Sequence, residues 1–164
     1  MKQSSTIFLQ GVIVLIGIVA LAIMIRLPLT EGRAANLDLF SVYSDPFILY
    51  GYVASTLFFI ALYKAFKLLG FIRQNRAFSL NSVRTLRSIK YCAILLSLLI
   101  VMAGLYIRIF HHKDDDPAGF LAMCILTTFV FIVIATTVEV FEKIIQNGVD
   151  IKSENEQLHE QSKK

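Results

Sequence analysis

The chain has 164 residues, of which 56% are hydrophobic, and its mean hydropathy is +0.67. That apolar share exceeds the usual composition of a soluble globular domain and indicates a membrane protein. The formal net charge of +4 is unevenly placed, because the 27 residues from 64 to 90 carry seven of the 16 basic residues and none of the 12 acidic ones.

The first apolar run covers residues 7–25 and contains no charged side chain. A helix of that length rises about 28 Å, close to the roughly 30 Å hydrocarbon core of a bilayer. A cleaved signal peptide is the alternative, because Lys2 precedes the run and small residues occur inside it. The run is longer than the roughly 7–15 residues of a signal-peptide core, so a retained membrane span is predicted.

Three further apolar runs follow, and they predict spans at residues 47–69, 90–108 and 120–138. Lys64 and Lys67 lie near the end of the second run, where long cationic side chains can reach a water interface. Each run is long enough to cross the membrane as a helix. The sequence therefore predicts an all-α integral membrane protein, a single domain of four membrane-spanning helices.

Four spans place both termini on one side of the membrane, together with the segment between the second and third spans. That side carries twelve lysines and arginines, and the opposite side carries four: Arg26, Arg33, Arg108 and Lys113. Segments rich in lysine and arginine stay in the cytoplasm. We therefore expect a multi-pass protein of the plasma (inner) membrane with cytoplasmic termini, a basic cytoplasmic loop at 70–89 and a cytoplasmic tail at 139–164.

The basic loop supplies the residues expected to contact a partner or lipid: Arg73, Arg76, Arg84 and Arg87. The simplest interpretation is a topological anchor that touches anionic headgroups, with each cation contributing roughly 1 kcal/mol. Direct nucleic-acid binding is not expected, because the loop leaves little room for a reading element. Ser79 or Asn81 can cap a short amphipathic helix that leads into the third span. Its apolar side chains, which face lipid or the bundle, are Val83, Leu86 and Ile89.

Several stretches resemble a family of small bacterial four-span membrane proteins known as a domain of unknown function. The resemblance covers residues 45–156, and its most specific parts are the 75–82 turn, the Lys90-Tyr91-Cys92 start of a span and the 149–155 tail. From Gln157 onward the chain departs from the family's tail. The resemblance implies no enzyme activity. Some members are encoded beside a small helix-turn-helix repressor, which implies membrane-linked regulation and a cytoplasmic regulator of that type as partner.

The loop IFHHKDDDPAG at 109–119 is the densest cluster of metal-ligand residue types. His111, His112 and Asp114 offer ligand atoms that suit zinc, copper or nickel. Adjacent helical residues seldom aim at one ion, because convergence needs a spacing of three or four. We therefore expect a solvated loop with no metal site and no cofactor. An extracytoplasmic metal or proton sensor at 111–116 is the alternative.

The predicted spans lack the central ionisable side chains that ion and proton pathways use, so a small-solute transporter remains only an alternative. Cys92 and Cys124 fall toward opposite ends of their spans, too far apart for a disulfide. No catalytic constellation is evident, and no enzyme is expected. The favoured function is an interaction or regulatory module that contacts a cytoplasmic partner or anionic lipid.

The tail at 139–164 carries six acidic and four basic residues and a seven-residue recurrence at Ile144, Ile151 and Leu158. This recurrence predicts that the fourth helix continues beyond the membrane, although Gly148 weakens it. A coiled coil needs two apolar positions in each of three or four heptads, and the tail does not provide them. The tail is interpreted as a frayed surface helix. The alternative is a docking helix for a partner or for a second copy in a homo-oligomer.

Overall fold

The computed structural model describes residues 3–30, 46–110 and 118–161. These residues form four α-helices: α1 (Gln3–Thr30), α2 (Pro46–Arg73), α3 (Leu80–Phe110) and α4 (Ala118–Gln161). Each helix is long and apolar enough to cross a membrane. The predicted all-α architecture with four candidate spans is confirmed.

The helices α3 and α4 are longer than a membrane span requires. They contain 31 and 44 residues, which corresponds to lengths of about 46 Å and about 66 Å. A hydrocarbon core of roughly 30 Å accommodates only part of each. Both helices include their predicted spans, at 90–108 and 120–138, and continue beyond them at the end where α3 begins and α4 ends. Gly148 does not interrupt α4, so the helical tail that the seven-residue recurrence predicts is present.

Each helix packs against the next one along the chain, and the most extensive contact joins α3 to α4. The Tyr50 hydroxyl of α2 donates a hydrogen bond of 2.5 Å to the Leu99 carbonyl of α3. Gly104 of α3 faces Cys124 of α4, whose Cβ lies 3.5 Å from the point where a side chain on Gly104 would begin. A small residue at this position lets the two helix backbones approach closely.

The buried apolar side chains are concentrated in the first half of α3. Their spacing of three and four residues puts them on one helix face, and they are Val83, Leu86, Ile89, Cys92, Ala93 and Leu96. Neighbouring helices contribute the buried Leu69 of α2 and Ala135 of α4. The helix α3 is therefore the central element of the fold.

Large apolar side chains on the other faces point outward, among them Phe8, Leu98 and Ile125. Soluble monomers rarely expose contiguous apolar surface of this kind. In a bilayer, lipid chains cover such side chains, and close packing rather than hydrophobic burial holds the helices together. The distribution of apolar residues thus agrees with a membrane protein.

Candidate functional site

The turn between α2 and α3 is closed by backbone hydrogen bonds. The Arg76 amide donates to the Phe71 carbonyl at 2.9 Å, and the Asn75 amide donates to the Ile72 carbonyl at 3.1 Å. Asn75 has a φ of 57°, in the left-handed region that asparagine adopts more readily than most residues. This reversal ends α2 and fixes where the basic segment re-enters the bundle.

Ser79 is the N-cap of α3. Its Oγ accepts a hydrogen bond of 3.3 Å from the Ser82 amide, and its carbonyl accepts one of 3.2 Å from the Val83 amide. Ser82 is fully buried, and its hydroxyl donates to the Arg76 carbonyl at 3.1 Å. Of the two caps that the sequence predicts, Ser79 or Asn81, the structure has Ser79, and Ser82 connects the turn to the helix.

The first turns of α3 have one buried face and one exposed face. Val83, Leu86 and Ile89 are buried against the bundle, which resolves the predicted choice between lipid and bundle. Arg84 and Arg87 lie on the exposed face. The amphipathic helix that the sequence predicts at this position is confirmed, and it is continuous with the third span.

Glu142 of α4 is a buried carboxylate held between two cations of α3. Its Oε1 accepts a hydrogen bond of 2.7 Å from Arg87 Nε, and its Oε2 lies 2.8 Å from Lys90 Nζ. The Lys90 contact is an ion pair. The Glu142 side chain is 9% exposed, whereas the Arg87 side chain is 55% exposed. One end of the cluster is thus enclosed and the other opens outward.

Electrostatics favour the ionised form of Glu142, which lies beyond the predicted span at 120–138. Burial is the largest influence and opposes ionisation, but the contacts with Lys90 and Arg87 together outweigh it and lower the pKa of Glu142 below its ordinary value of 4.5. The hydrogen bond to Glu142 raises the pKa of Arg87. Glu139 also interacts electrostatically with Lys90, and the Arg87 guanidinium carries positive charge at the exposed end of the cluster.

A second contact joins the basic segment to α4, where the Phe78 ring lies directly over Gly148. A Cβ placed on Gly148 would be 2.4 Å from Phe78 Cδ1, a separation that side chains do not tolerate. Glycine at this helical position therefore makes room for the aromatic ring. Gly148, which was expected to weaken the α4 helix, is therefore the residue on which the turn packs.

The four arginines proposed from the sequence divide into two pairs. Arg73 ends α2 and Arg76 lies in the turn, and both are exposed. Arg84 and Arg87 lie one helical turn apart on α3. Within the described ranges, Arg87 is the member of the set whose side chain forms an ion pair. The four residues are therefore not equivalent.

The candidate metal ligands His111, His112 and Asp114 lie outside the described residues. Among the residues that the structure does describe, no group of three histidine, cysteine, aspartate or glutamate side chains could hold an ion. Cys92 and Cys124 are both free thiols.

The sequence alone did not identify Glu142 or the Phe78–Gly148 contact. Two features of the sequence pointed toward a role for Glu142. Glu139 and Glu142 are the first acidic residues after the fourth apolar run, and they fall on the same predicted side of the membrane as the basic loop. Glu139 instead pairs with Lys143 on its own helix at 3.0 Å. Choosing between the two carboxylates required the relative rotation of α3 and α4.

Comparison with known proteins identifies the family to which the chain belongs. A sequence profile described as "Protein of unknown function (DUF2975)" matches residues 28–157. The uncharacterized membrane protein YoaS of Bacillus subtilis (strain 168) is 40% identical over 158 residues, which cover 95% of this chain and 98% of that protein. No solved structure matches the chain. The chain therefore belongs to the DUF2975 family of proteins of unknown function.

Proposed function

We propose that this membrane protein is a non-enzymatic interaction module of the plasma membrane. Both termini and the α2–α3 turn face the cytoplasm, where an acidic face of a soluble protein docks on Arg73 and Arg76. The observation that carries the proposal is that the basic turn is fixed to a helical extension that reaches beyond the predicted spans. A small helix-turn-helix regulator, the partner that the family resemblance implies, is a soluble protein that could dock in this way.

The extension consists of the start of α3 and the end of α4, which run antiparallel. Three contacts support one register: Gly104 with Cys124, Arg87 with Glu142, and Phe78 with Gly148. Each step toward the start of α3 is matched by a step toward the end of α4. The two helices therefore leave the predicted membrane region as a connected pair.

The basic turn is held at the tip of this pair. Phe78 packs on Gly148, and Ser82 binds the Arg76 carbonyl. Arg73 and Arg76 are exposed on either side of the reversal at Asn75. An ordered backbone turn that presents two guanidinium groups suits recognition of carboxylates, because less loop freedom is lost on binding.

The end of α4 supplies additional surface beside the turn. Every residue from 151 to 161 is exposed, including Ile151 and Leu158. Those eleven residues rise about 16 Å past the Phe78 contact region. A docked protein would therefore meet both a basic turn and a projecting helix.

Copurification from membranes, followed by identification of bound proteins, tests this function. The double substitution Arg73→Lys and Arg76→Lys preserves charge and insertion, since topology depends equally on lysine and arginine. It removes the planar fork that grips a carboxylate, so bound partner should decrease. Arg84→Lys is the matched control, because it lies outside the proposed docking pair and should retain the partner. Equal recovery of every protein with the double variant and the wild type would contradict the proposal.

A further inference from the structure

The exposed face of α3 carries a second feature, which goes beyond the proposed function because it requires a membrane and no protein partner. We infer that Arg84 and Arg87 bind the phosphate of an anionic phospholipid, with Tyr91 beside the glycerol region and the following apolar stripe of α3 along an acyl chain. The site is a lipid-binding surface at the boundary between the predicted third span and water.

The orientation of Arg87 is the first support. Its Nε donates to Glu142 Oε1 at 2.7 Å, and this bond uses one edge of the guanidinium. The side chain is 55% exposed, so part of it is open to a second ligand. Arginine presents donors in a rigid fork that matches phosphate oxygens. Glu142 therefore positions Arg87 without occupying its whole donor set.

Arg84 provides a second cation one turn before Arg87. It is exposed, and no ion pair of its side chain lies within the described residues. Residues three apart on a helix are neighbours on its surface. Two arginines, of which only one has a carboxylate partner, form a site that lacks one negative charge. A phosphodiester supplies that charge.

The rest of the same face matches the chemistry of a phospholipid below its phosphate. Positions separated by three or four residues lie on one side of a helix, and the exposed series on α3 runs in the order Arg84, Arg87, Tyr91, Leu95, Leu98 and Met102. It passes from cationic through aromatic to aliphatic residues. Tyrosine is enriched at headgroup level in membrane proteins. This order distinguishes a lipid from a free phosphate, which would need only the cationic end.

The axial distances also agree with a lipid. At 1.5 Å per residue, Arg87 lies about 6 Å and Arg84 about 10 Å above Tyr91 along α3. Arginine side chains extend toward an interface while their stems lie along the helix. Both guanidinium groups can therefore reach the phosphate layer when Tyr91 lies at its inner edge.

Lipid retention by the purified full-length protein provides the test. The protein is extracted in mild detergent, and native mass spectrometry counts the lipids that remain bound after addition of phosphatidylglycerol or of phosphatidylcholine with the same acyl chains. We expect phosphatidylglycerol to be retained preferentially by the wild type. Arg84→Gln should lower that retention about fivefold, the effect of one interfacial cation that contributes roughly 1 kcal/mol.

Arg84→Gln leaves the Arg87–Glu142 pair in place, so its result does not depend on that structural contact. The matched control is Arg76→Gln, which removes one arginine charge from the turn and should leave lipid retention unchanged. Arg84→Lys should retain more phosphatidylglycerol than Arg84→Gln, because it keeps the charge.

Three results would overturn the inference. One is equal retention of phosphatidylglycerol and phosphatidylcholine by the wild type. Another is an equal loss in Arg76→Gln and Arg84→Gln, which would indicate diffuse charge attraction. The third is displacement of the bound lipid by glycerol phosphate at matched concentration, which would indicate a soluble phosphate ligand. The protein-docking function is unaffected by any of these results, since its test depends on Arg73, Arg76 and recovered protein.

Discussion

Arg87 and Glu142 are 55 residues apart in the chain and are joined by a hydrogen bond of 2.7 Å between Nε and Oε1. The bond links α3 to α4 just beyond the predicted membrane region. It aligns the two helices in the same register as the Phe78–Gly148 contact nearer the turn and the Gly104–Cys124 contact deeper in the bundle. This pairing connects the basic segment to the tail.

Substitution of Glu142 should destabilise this helix pair. Glu142→Ala leaves Arg87 and Lys90 facing each other without the carboxylate between them, and Glu142→Gln retains an acceptor but loses the charge. We expect the Tm of the detergent-solubilised protein to fall in the order wild type, Glu142→Gln, Glu142→Ala. Glu139→Gln is the control, because that exposed carboxylate forms its direct ion pair with Lys143 of α4 and only a weaker electrostatic interaction with Lys90, so the Tm should fall much less. A larger loss in Glu139→Gln would contradict the assignment.

The same carboxylate makes stability depend on acid pH. Its pKa is lower in the folded state than its ordinary value of 4.5, so the unfolded chain binds more protons as pH falls. The contribution of Glu142 is therefore fully present above about pH 4.5 and is lost as pH falls through the lower folded pKa. Unfolding midpoints measured over this range should show less acid destabilisation in Glu142→Gln than in the wild type. Identical pH profiles would show that Glu142 has no such role.

Gly148 should tolerate alanine only when Phe78 is absent. Alanine is about 1 kcal/mol more favourable than glycine within a helix, but its Cβ would collide with the Phe78 ring. We expect Gly148→Ala to stabilise the protein by about 1 kcal/mol in a Phe78→Ala background and to give less or no benefit in the wild type. Chemical denaturation of the four proteins provides the double-mutant cycle. The same effect in both backgrounds would exclude the contact.

The α3–α4 register predicts which cysteines can pair. Cys124 lies beside Gly104, and its Cβ is 3.5 Å from the Cβ position of a substituted residue, within disulfide range. Gly104→Cys should therefore crosslink with Cys124 under mild oxidation in a Cys92→Ala background. The wild type is the control: Cys92 lies about 18 Å from Gly104 along α3, so no intramolecular Cys92–Cys124 bond should form. A bond in the wild type, or none in the variant, would contradict the register.

The helices and the start of α3 could be predicted from sequence because their signals are local. Apolar length predicts spans, and Ser79 followed by Val83, Leu86 and Ile89 predicts a capped amphipathic helix. The role of Glu142 could not be predicted in this way, because its burial depends on how α4 is rotated against α3. Gly148 illustrates the same limit: helix propensity identifies a weak position, whereas the packed ring of Phe78 gives that position its structural role.

Counting charges does not distinguish the four arginines of the basic loop from one another. Counting lysines and arginines gives a predicted orientation but treats Arg73, Arg76, Arg84 and Arg87 alike. The structure separates them by their surroundings, because Arg87 has a carboxylate partner and Arg73 and Arg76 flank the turn. The predicted orientation of the termini decides whether the protein-docking surface at Arg73 and Arg76 faces the cytoplasm.

Site-directed cysteine labelling tests that orientation most directly. In a Cys92→Ala, Cys124→Ala background, single cysteines replace Asn75, Glu160 or Asp115, and intact cells are treated with a membrane-impermeant maleimide. We expect labelling at position 115 from outside, with positions 75 and 160 labelled only after the membrane is permeabilised. Labelling of position 75 or 160 in intact cells would contradict the cytoplasmic placement of the basic turn and the tail.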